Sequence, residues 1–179
     1  MAMDVGVRRD IPLIIQKNGR FRYTHPVPSL QIIYASTSGH TEHVVTELVR
    51  FLKDQSPKLT VTMTRVEKAK PEDLTSSDFL VLAFGTWNTG GPEGQLNPHM
   101  HAFVNGPAQS ADLKGKSVAV IALGDDRYRY TARAGEHLQT FVTTHGGKIL
   151  GEQLTIVNEP YGQEERIYRW GQKFLSLLS

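Results

Sequence analysis

The chain has no cysteine, which excludes a disulfide scaffold, a thiol nucleophile, and iron–sulfur or thiolate–zinc sites. That absence suits a reducing compartment such as the cytoplasm. No apolar run approaches the ~20 residues that cross a bilayer. Arg8-Arg9 precede an apolar stretch, Ile11 to Ile15, that is too short for a twin-arginine signal, contains Pro12 and ends at Lys17. Two common nucleotide motifs are missing as well: the G-x-x-x-x-G-K-[ST] loop with its lysine, and G-x-G-x-x-G. Charge of one sign is also lacking. The net charge of +2 arises in residues 1–28, which carry +3, while the rest of the chain is close to neutral at −1. Both signs are interspersed there, so no nucleic-acid surface is expected. His99 and His101 form a His-x-His pair without a third ligand at suitable spacing, so no metal site is expected either.

What is present starts at Ser36-Thr37-Ser38-Gly39-His40-Thr41. An apolar run, Leu30 to Ala35, precedes this hydroxyl-rich turn, and an amphipathic segment, Glu42 to Lys53, follows it. The order reads strand, tight turn, helix N-terminus. The first amides of a helix lack internal acceptors and carry the positive end of its dipole, so a phosphate fits there. Taken alone, the loop supports two readings: a phosphate site without lysine or arginine, or a turn in which Thr41 caps the helix.

The 179 residues suit one domain, and strand and helix patterns alternate after residue 29. Val44, Val45, Leu48, Phe51 and Leu52 share one helical face. Leu59 to Val66 alternates apolar and polar residues, as an outer strand does. Asp78 to Phe84 and Ser117 to Leu123 are continuous apolar runs, as expected of central parallel strands covered on both faces. The spacing predicts a helix over 130–145 stopped by Gly146-Gly147, a last strand over 148–157 and a final helix over 163–178. The result is an α/β fold of five strands, each followed by a helix, in a doubly wound parallel sheet.

In such a sheet ligands bind beyond the carboxyl ends of the strands, where the strand order reverses. Three loops should converge there: Ser36 to Thr41, Gly85 to Leu96 and Gly124 to Tyr130. The second carries Trp87 among Thr86, Asn88, Thr89 and Gly90; the third carries Tyr128 and Tyr130 beside Asp125, Arg127 and Arg129. Core packing explains such aromatics poorly, whereas two of them facing a crevice can hold a flat ring. A phosphate together with a flat ring indicates a mononucleotide, with flavin the obvious candidate.

At this point the chain resembles a flavodoxin over residues 29–179. The family's [ST]-x-[ST]-G-x-T loop is met by Ser36, Ser38, Gly39 and Thr41, its Thr-Trp pair by Thr86-Trp87, and its Gly-Asp-x-x-Tyr loop by Gly124, Asp125 and Tyr128. An uninterrupted fifth strand resembles the short-chain members. The resemblance implies the sheet order 2-1-3-4-5, helices on both faces, and bound FMN with Trp87 and Tyr128 flanking its ring. It implies cofactor contacts along Ser36, Thr37, Ser38, Gly39, His40 and Thr41, along Thr86 to Gly90, and at Gly124, Asp125, Tyr128 and Tyr130. The implied activity is low-potential electron transfer, one electron at a time, between redox partner proteins, a reductase and an acceptor. Asn88 stands where many members carry glycine. A peptide there rotates less freely, which implies weaker stabilisation of the half-reduced flavin.

Residues 1–28 form an N-terminal extension outside this family core. Alternation on either side of Asn18-Gly19 predicts a β-hairpin. Such a hairpin suits self-association or presentation of Arg20 and Arg22 to a partner. The alternative function is an NAD(P)H-dependent flavin or quinone reductase of the same fold, which needs an open ring face. A phospho-receiver module is excluded, because the ends of the first and third strands, Tyr34-Ala35-Ser36 and Phe84-Gly85-Thr86, carry no acidic cluster.

Overall fold

The computed structural model describes residues 13–15, 21–23, 27–88 and 91–178. Two short strands, β1 (Leu13–Ile15) and β2 (Phe21–Tyr23), pair antiparallel with Ile14 opposite Arg22. The Asn18-Gly19 turn expected between them lies outside the described residues.

The main sheet is built from β3 (Ser29–Ala35), β4 (Thr60–Arg65), β5 (Phe79–Trp87), β7 (Ser117–Gly124) and an edge made of β8 (Lys148–Ile149) and β9 (Leu154–Val157). The short β6 (Gln95–Leu96) folds back antiparallel on the end of β5. Spatial order is β4-β3-β5-β7 and then β8/β9, all parallel, which is 2-1-3-4-5 counted along the sheet. Helices α1 (His40–Gln55), α2 (Pro98–Asn105), α3 (Ala134–Thr144) and α4 (Glu164–Ser176) cover it.

Strand alternation decides which helix lies where. Leu30, Ile32, Val81, Ala83, Ala119 and Ile121 face α1 and α4, meeting Leu48, Leu52, Ile167, Trp170 and Phe174. Ile33, Leu80, Leu82, Phe84, Val118 and Val120 point the other way, onto Met100, Phe103, Leu138 and Val142 of α2 and α3. Both sides of the central strands are therefore buried, which is why their sequences read as unbroken apolar runs. The edge strand β4 alternates instead, with Val61 and Met63 packed toward α1 and Thr60 and Thr62 exposed.

Three expectations need correction. No α-helix follows β4; two 3₁₀ turns, Val66–Lys68 and Pro71–Leu74, fill the connection. Pro71 has no amide to donate, and Asp73 accepts from the Lys70 amide at 2.8 Å, which closes a short turn in place of a helix. The last strand is not continuous. It breaks at residues 150–153, where the Trp170 indole donates to the Glu152 carbonyl at 2.7 Å and draws that segment toward α4. Helix α3 begins at Ala134 rather than at Tyr130, because residues 130–133 belong to the preceding loop. Its end is as expected: Gly147 donates to Val142 and Gly146 to Thr143, the bond pair of a Schellman stop.

Candidate functional site

The carboxyl ends of β3, β5 and β7 open into one cleft of about 410 Å³. Its walls include Thr37, Ser38, His40 and Thr41 from the first loop, Thr86, Trp87 and Asn88 from the second, and Gly124, Asp125 and Tyr128 from the third. These are the three loops predicted to converge. The short connections force this, since each loop leaves a neighbouring parallel strand at the same edge.

The first loop turns into α1 through Gly39, whose φ of 91° lies in the left-handed region. The Gly39 carbonyl accepts the His43 amide at 2.9 Å, the first bond of the helix. Ser36 is buried; its Oγ accepts the Glu42 amide at 3.3 Å, so this hydroxyl caps the helix from beneath instead of facing the cleft. Among the described residues no acceptor serves the amides of Gly39, His40 and Thr41. Three donors at the positive end of a helix, beside the hydroxyls of Thr37, Ser38 and Thr41, form an anion cradle.

A second layer holds this loop. Arg65, at the end of β4, donates to the Ser36 carbonyl at 2.6 Å and to Glu42 at 3.1 Å. Tyr34 donates to the other Glu42 oxygen at 3.0 Å. Burial, and then the Glu42 carboxylate, raise the pKa of the Tyr34 phenol. Asn97, the residue before α2 and itself on the cleft wall, reaches the loop with its Nδ2 2.8 Å from Thr37 Oγ1. At the rim, His40 Nε2 lies 3.1 Å from the Glu159 carboxylate.

In the second loop, Asn88 Oδ1 accepts the Gly94 amide at 2.8 Å and closes the loop on itself. Gly94 has φ 80°, and a Cβ there would fall 2.7 Å from Tyr130 Cβ, so only glycine lets this loop rest on the third. Thr89 and Gly90 lie outside the described residues. Thr86 Oγ1 is sealed from solvent without a hydrogen-bond partner among the described residues. An orphaned buried hydroxyl in a cleft wall fits a site built to receive a polar ligand atom.

In the third loop, Arg127 forks onto Asp125, with Nε 2.9 Å and 3.0 Å from the two carboxylate oxygens and Nη2 on Oδ2. These bonds hold the Asp125 carboxyl down at about 2 and raise the pKa of Arg127. Arg127 thus lies along the cleft wall, offsetting the charge of Asp125. Asn158, at φ 64° after β9, clamps the same loop: its Oδ1 accepts the Asp126 amide at 3.1 Å and its Nδ2 donates to Asp126 at 2.9 Å. Tyr130 lies outside the cleft and lines a separate hollow, with Arg133 over its ring at 4.4 Å and Arg129 at 5.6 Å.

Sequence reasoning missed Asn97, Arg65 and Asn158. Asn97-Pro98 is a helix-start signal, a capping residue before proline at the first helical position, and could have drawn attention to Asn97. Arg65 and Asn158 carry no comparable signal, because their roles come from strand pairing.

A doubly wound sheet whose three loops open into one cleft at its switch point defines a ligand-binding α/β architecture. The comparisons with known proteins narrow this class. The Flavodoxin family model matches residues 32–170, so the chain belongs to the flavodoxin family, whose members are flavin-binding electron carriers that serve redox partners. It is 28% identical over 140 residues to a flavodoxin of Maridesulfovibrio salexigens, covering 78% of this chain and 92% of that one. It is 25% identical over 150 residues to the probable flavodoxin 2 of Bacillus subtilis, covering 80% and 91%. The crystal structure of oxidised flavodoxin 1 from Bacillus cereus superposes with a TM-score of 0.73 at 24% identity, covering 84% of this chain and 99% of that one. Nothing in these matches supports the reductase alternative. Among the described residues no helix is long and apolar enough to cross a membrane.

Proposed function

We propose that the flavin held in this cleft is FMN, and that residues 29–179 form the domain that holds it, with residues 1–28 as an extension. The observation that carries this reading is the meeting of the anion cradle at Thr37 to Thr41 with Trp87 and Tyr128 in one cleft. A phosphorylated flavin has the two chemistries these walls offer, an anionic end and a flat aromatic ring. The amides at the start of α1 and the hydroxyls of Thr37, Ser38 and Thr41 take the phosphate. The side chains of Trp87 and Tyr128 take the ring, and the backbone at Gly124 and Asp125 its polar edge. The buried Thr86 hydroxyl supplies one more hydrogen bond.

FMN supplies the reversible uptake of single electrons, and the protein sets the potential at which this happens. Aromatic faces carry negative quadrupole density, so Trp87 and Tyr128 oppose added negative charge between them. Asp125 does the same by Coulomb repulsion, and Arg127 reduces that contribution by pairing with it. Asn88, tied to Gly94, resists rotation of the backbone that follows Trp87. The reductase and acceptor are proteins that dock over this cleft. The absence of cysteine suits a reducing compartment such as the cytoplasm.

The test is the visible absorption spectrum of the purified chain after addition of FMN and desalting. Retained flavin bands near one equivalent are expected. A colourless protein that also leaves FMN fluorescence unquenched would overturn the reading.

A further inference from the structure

We infer that Asn97 is a positioning residue that makes Thr37 a hydrogen-bond donor to the cofactor's phosphate, and thereby sets the preference for FMN over unphosphorylated riboflavin. The inference rests on the reading of the first loop as the phosphate site.

The direction of each bond follows from the chemistry of the groups. Asn97 is the N-cap of α2 and is only 3% exposed. One end of its carboxamide meets the His99 amide at 3.0 Å. A backbone N–H can only donate, so that end is the oxygen, Oδ1. The other end, 2.8 Å from Thr37 Oγ1, is therefore the NH₂ group. A carboxamide NH₂ has no lone pair to offer, so Thr37 Oγ1 must accept. The hydroxyl hydrogen of Thr37 is then directed away from Asn97.

Thr37 itself is exposed and lines the cleft beside Ser38 and Thr41. Without Asn97 its hydroxyl is a free rotor in water. With Asn97 its hydrogen is kept off the Asn97 side and left to donate in the remaining directions, the cleft among them. A donor restricted before binding loses less entropy when the phosphate arrives. The α2 cap, 60 residues along the chain, thus polarises the first loop.

Asn97→Asp isolates this role. The carboxylate keeps the shape and the cap on the His99 amide, and an anion at a helix N-terminus is favourable. It has no hydrogen to donate, so it accepts from Thr37 and turns that hydrogen away from the cleft. The apoprotein is titrated in parallel with FMN and with riboflavin, following flavin fluorescence. N97D is expected to weaken FMN binding by about tenfold or more, the scale of one charge-assisted hydrogen bond, and to leave riboflavin binding within about twofold. Thr37→Val provides an independent variant should N97D not fold. It is expected to lose FMN selectively in the same way, while Thr37→Ser retains FMN affinity. The N97D loss is expected to shrink in the T37V background, since an effect carried by charge alone would add in full.

The inference is overturned if N97D and T37V bind FMN like the unaltered chain, if FMN and riboflavin weaken in equal proportion, or if the two substitutions are fully additive. Should the unaltered chain bind both flavins equally, or neither, the phosphate reading of the loop falls first and this inference with it.

Discussion

The guanidinium of Arg65 lies 2.6 Å from the carbonyl oxygen of Ser36, so the last residue of β4 holds the first residue of the loop proposed to take the phosphate. Parallel pairing sets Tyr34 opposite Arg65, which brings the arginine level with the end of β3. Ser36 is 4% exposed, and its carbonyl would lose this charged partner if Arg65 were shortened. Arg65→Met is expected to lower stability by about 1–2 kcal/mol, measured by urea unfolding. Arg65→Lys should recover only part of it, because one ammonium cannot serve the Ser36 carbonyl and Glu42 with a guanidinium's geometry. An R65M midpoint equal to that of the unaltered chain would remove Arg65 from this role.

Gly39 offers a second test of the loop. A Cβ there would meet nothing within 4 Å, so space does not forbid alanine. The φ of 91° does. Gly39→Ala is expected to cost about 1–2 kcal/mol of stability through backbone strain alone. FMN affinity should fall as well, as the loop relaxes away from its binding conformation. Unchanged stability on thermal unfolding would show that the turn has another conformation of equal energy.

Trp87 distinguishes the ring from the phosphate. Trp87→Ala removes a large aromatic surface from the cleft wall, and flavin affinity is expected to fall by roughly tenfold to a hundredfold. Unlike the Asn97 and Thr37 variants, it should weaken FMN and riboflavin in parallel. A selective loss of FMN alone would mean that the indole contacts the phosphate end, contrary to the proposed orientation.

The Asp125–Arg127 pair has a defined pH signature. Its carboxyl titrates at about 2 instead of the ordinary 3.8, held down by the side-chain and backbone hydrogen bonds from Arg127. A depressed carboxyl favours the folded state above the unfolded pKa, and that contribution is lost as pH falls from about 4 towards 2. Because the Arg127 side chain is 80% exposed, salt should weaken the effect. NMR titration of the Asp125 carboxyl carbon should place its midpoint near 2, and Arg127→Gln should move it upward. A midpoint that ignores R127Q would assign the shift to something other than the fork.

Much of this protein was legible along the chain. The central strands announce themselves as apolar runs because both sheet faces are covered, and α1, α3 and α4 follow from periodicity. The three loops could be singled out because parallel strands deliver them to one edge, and within them the resemblance to the family's motifs picked out Ser38, Gly39, Thr41, Thr86, Trp87, Gly124, Asp125 and Tyr128. The break in the last strand was hidden, since Trp170 reaches Glu152 through tertiary packing. So was the connection after β4, where the pull of Pro71 and Asp73 outweighs the general strand–helix rhythm.

Composition and periodicity by themselves determined the α/β class, the three converging loops and the lack of thiol chemistry. These depend on side-chain type and spacing, which are local. Only the tertiary structure decided which polar groups meet: Arg65 with Ser36, Asn97 with Thr37, Arg127 with Asp125, and Tyr130 with Arg133 outside the cleft. Hydrogen bonds and ion pairs act over about 3 Å, and apart from the neighbouring Asp125–Arg127 and Tyr130–Arg133 pairs, no regularity along a chain reports which distant residues come that close.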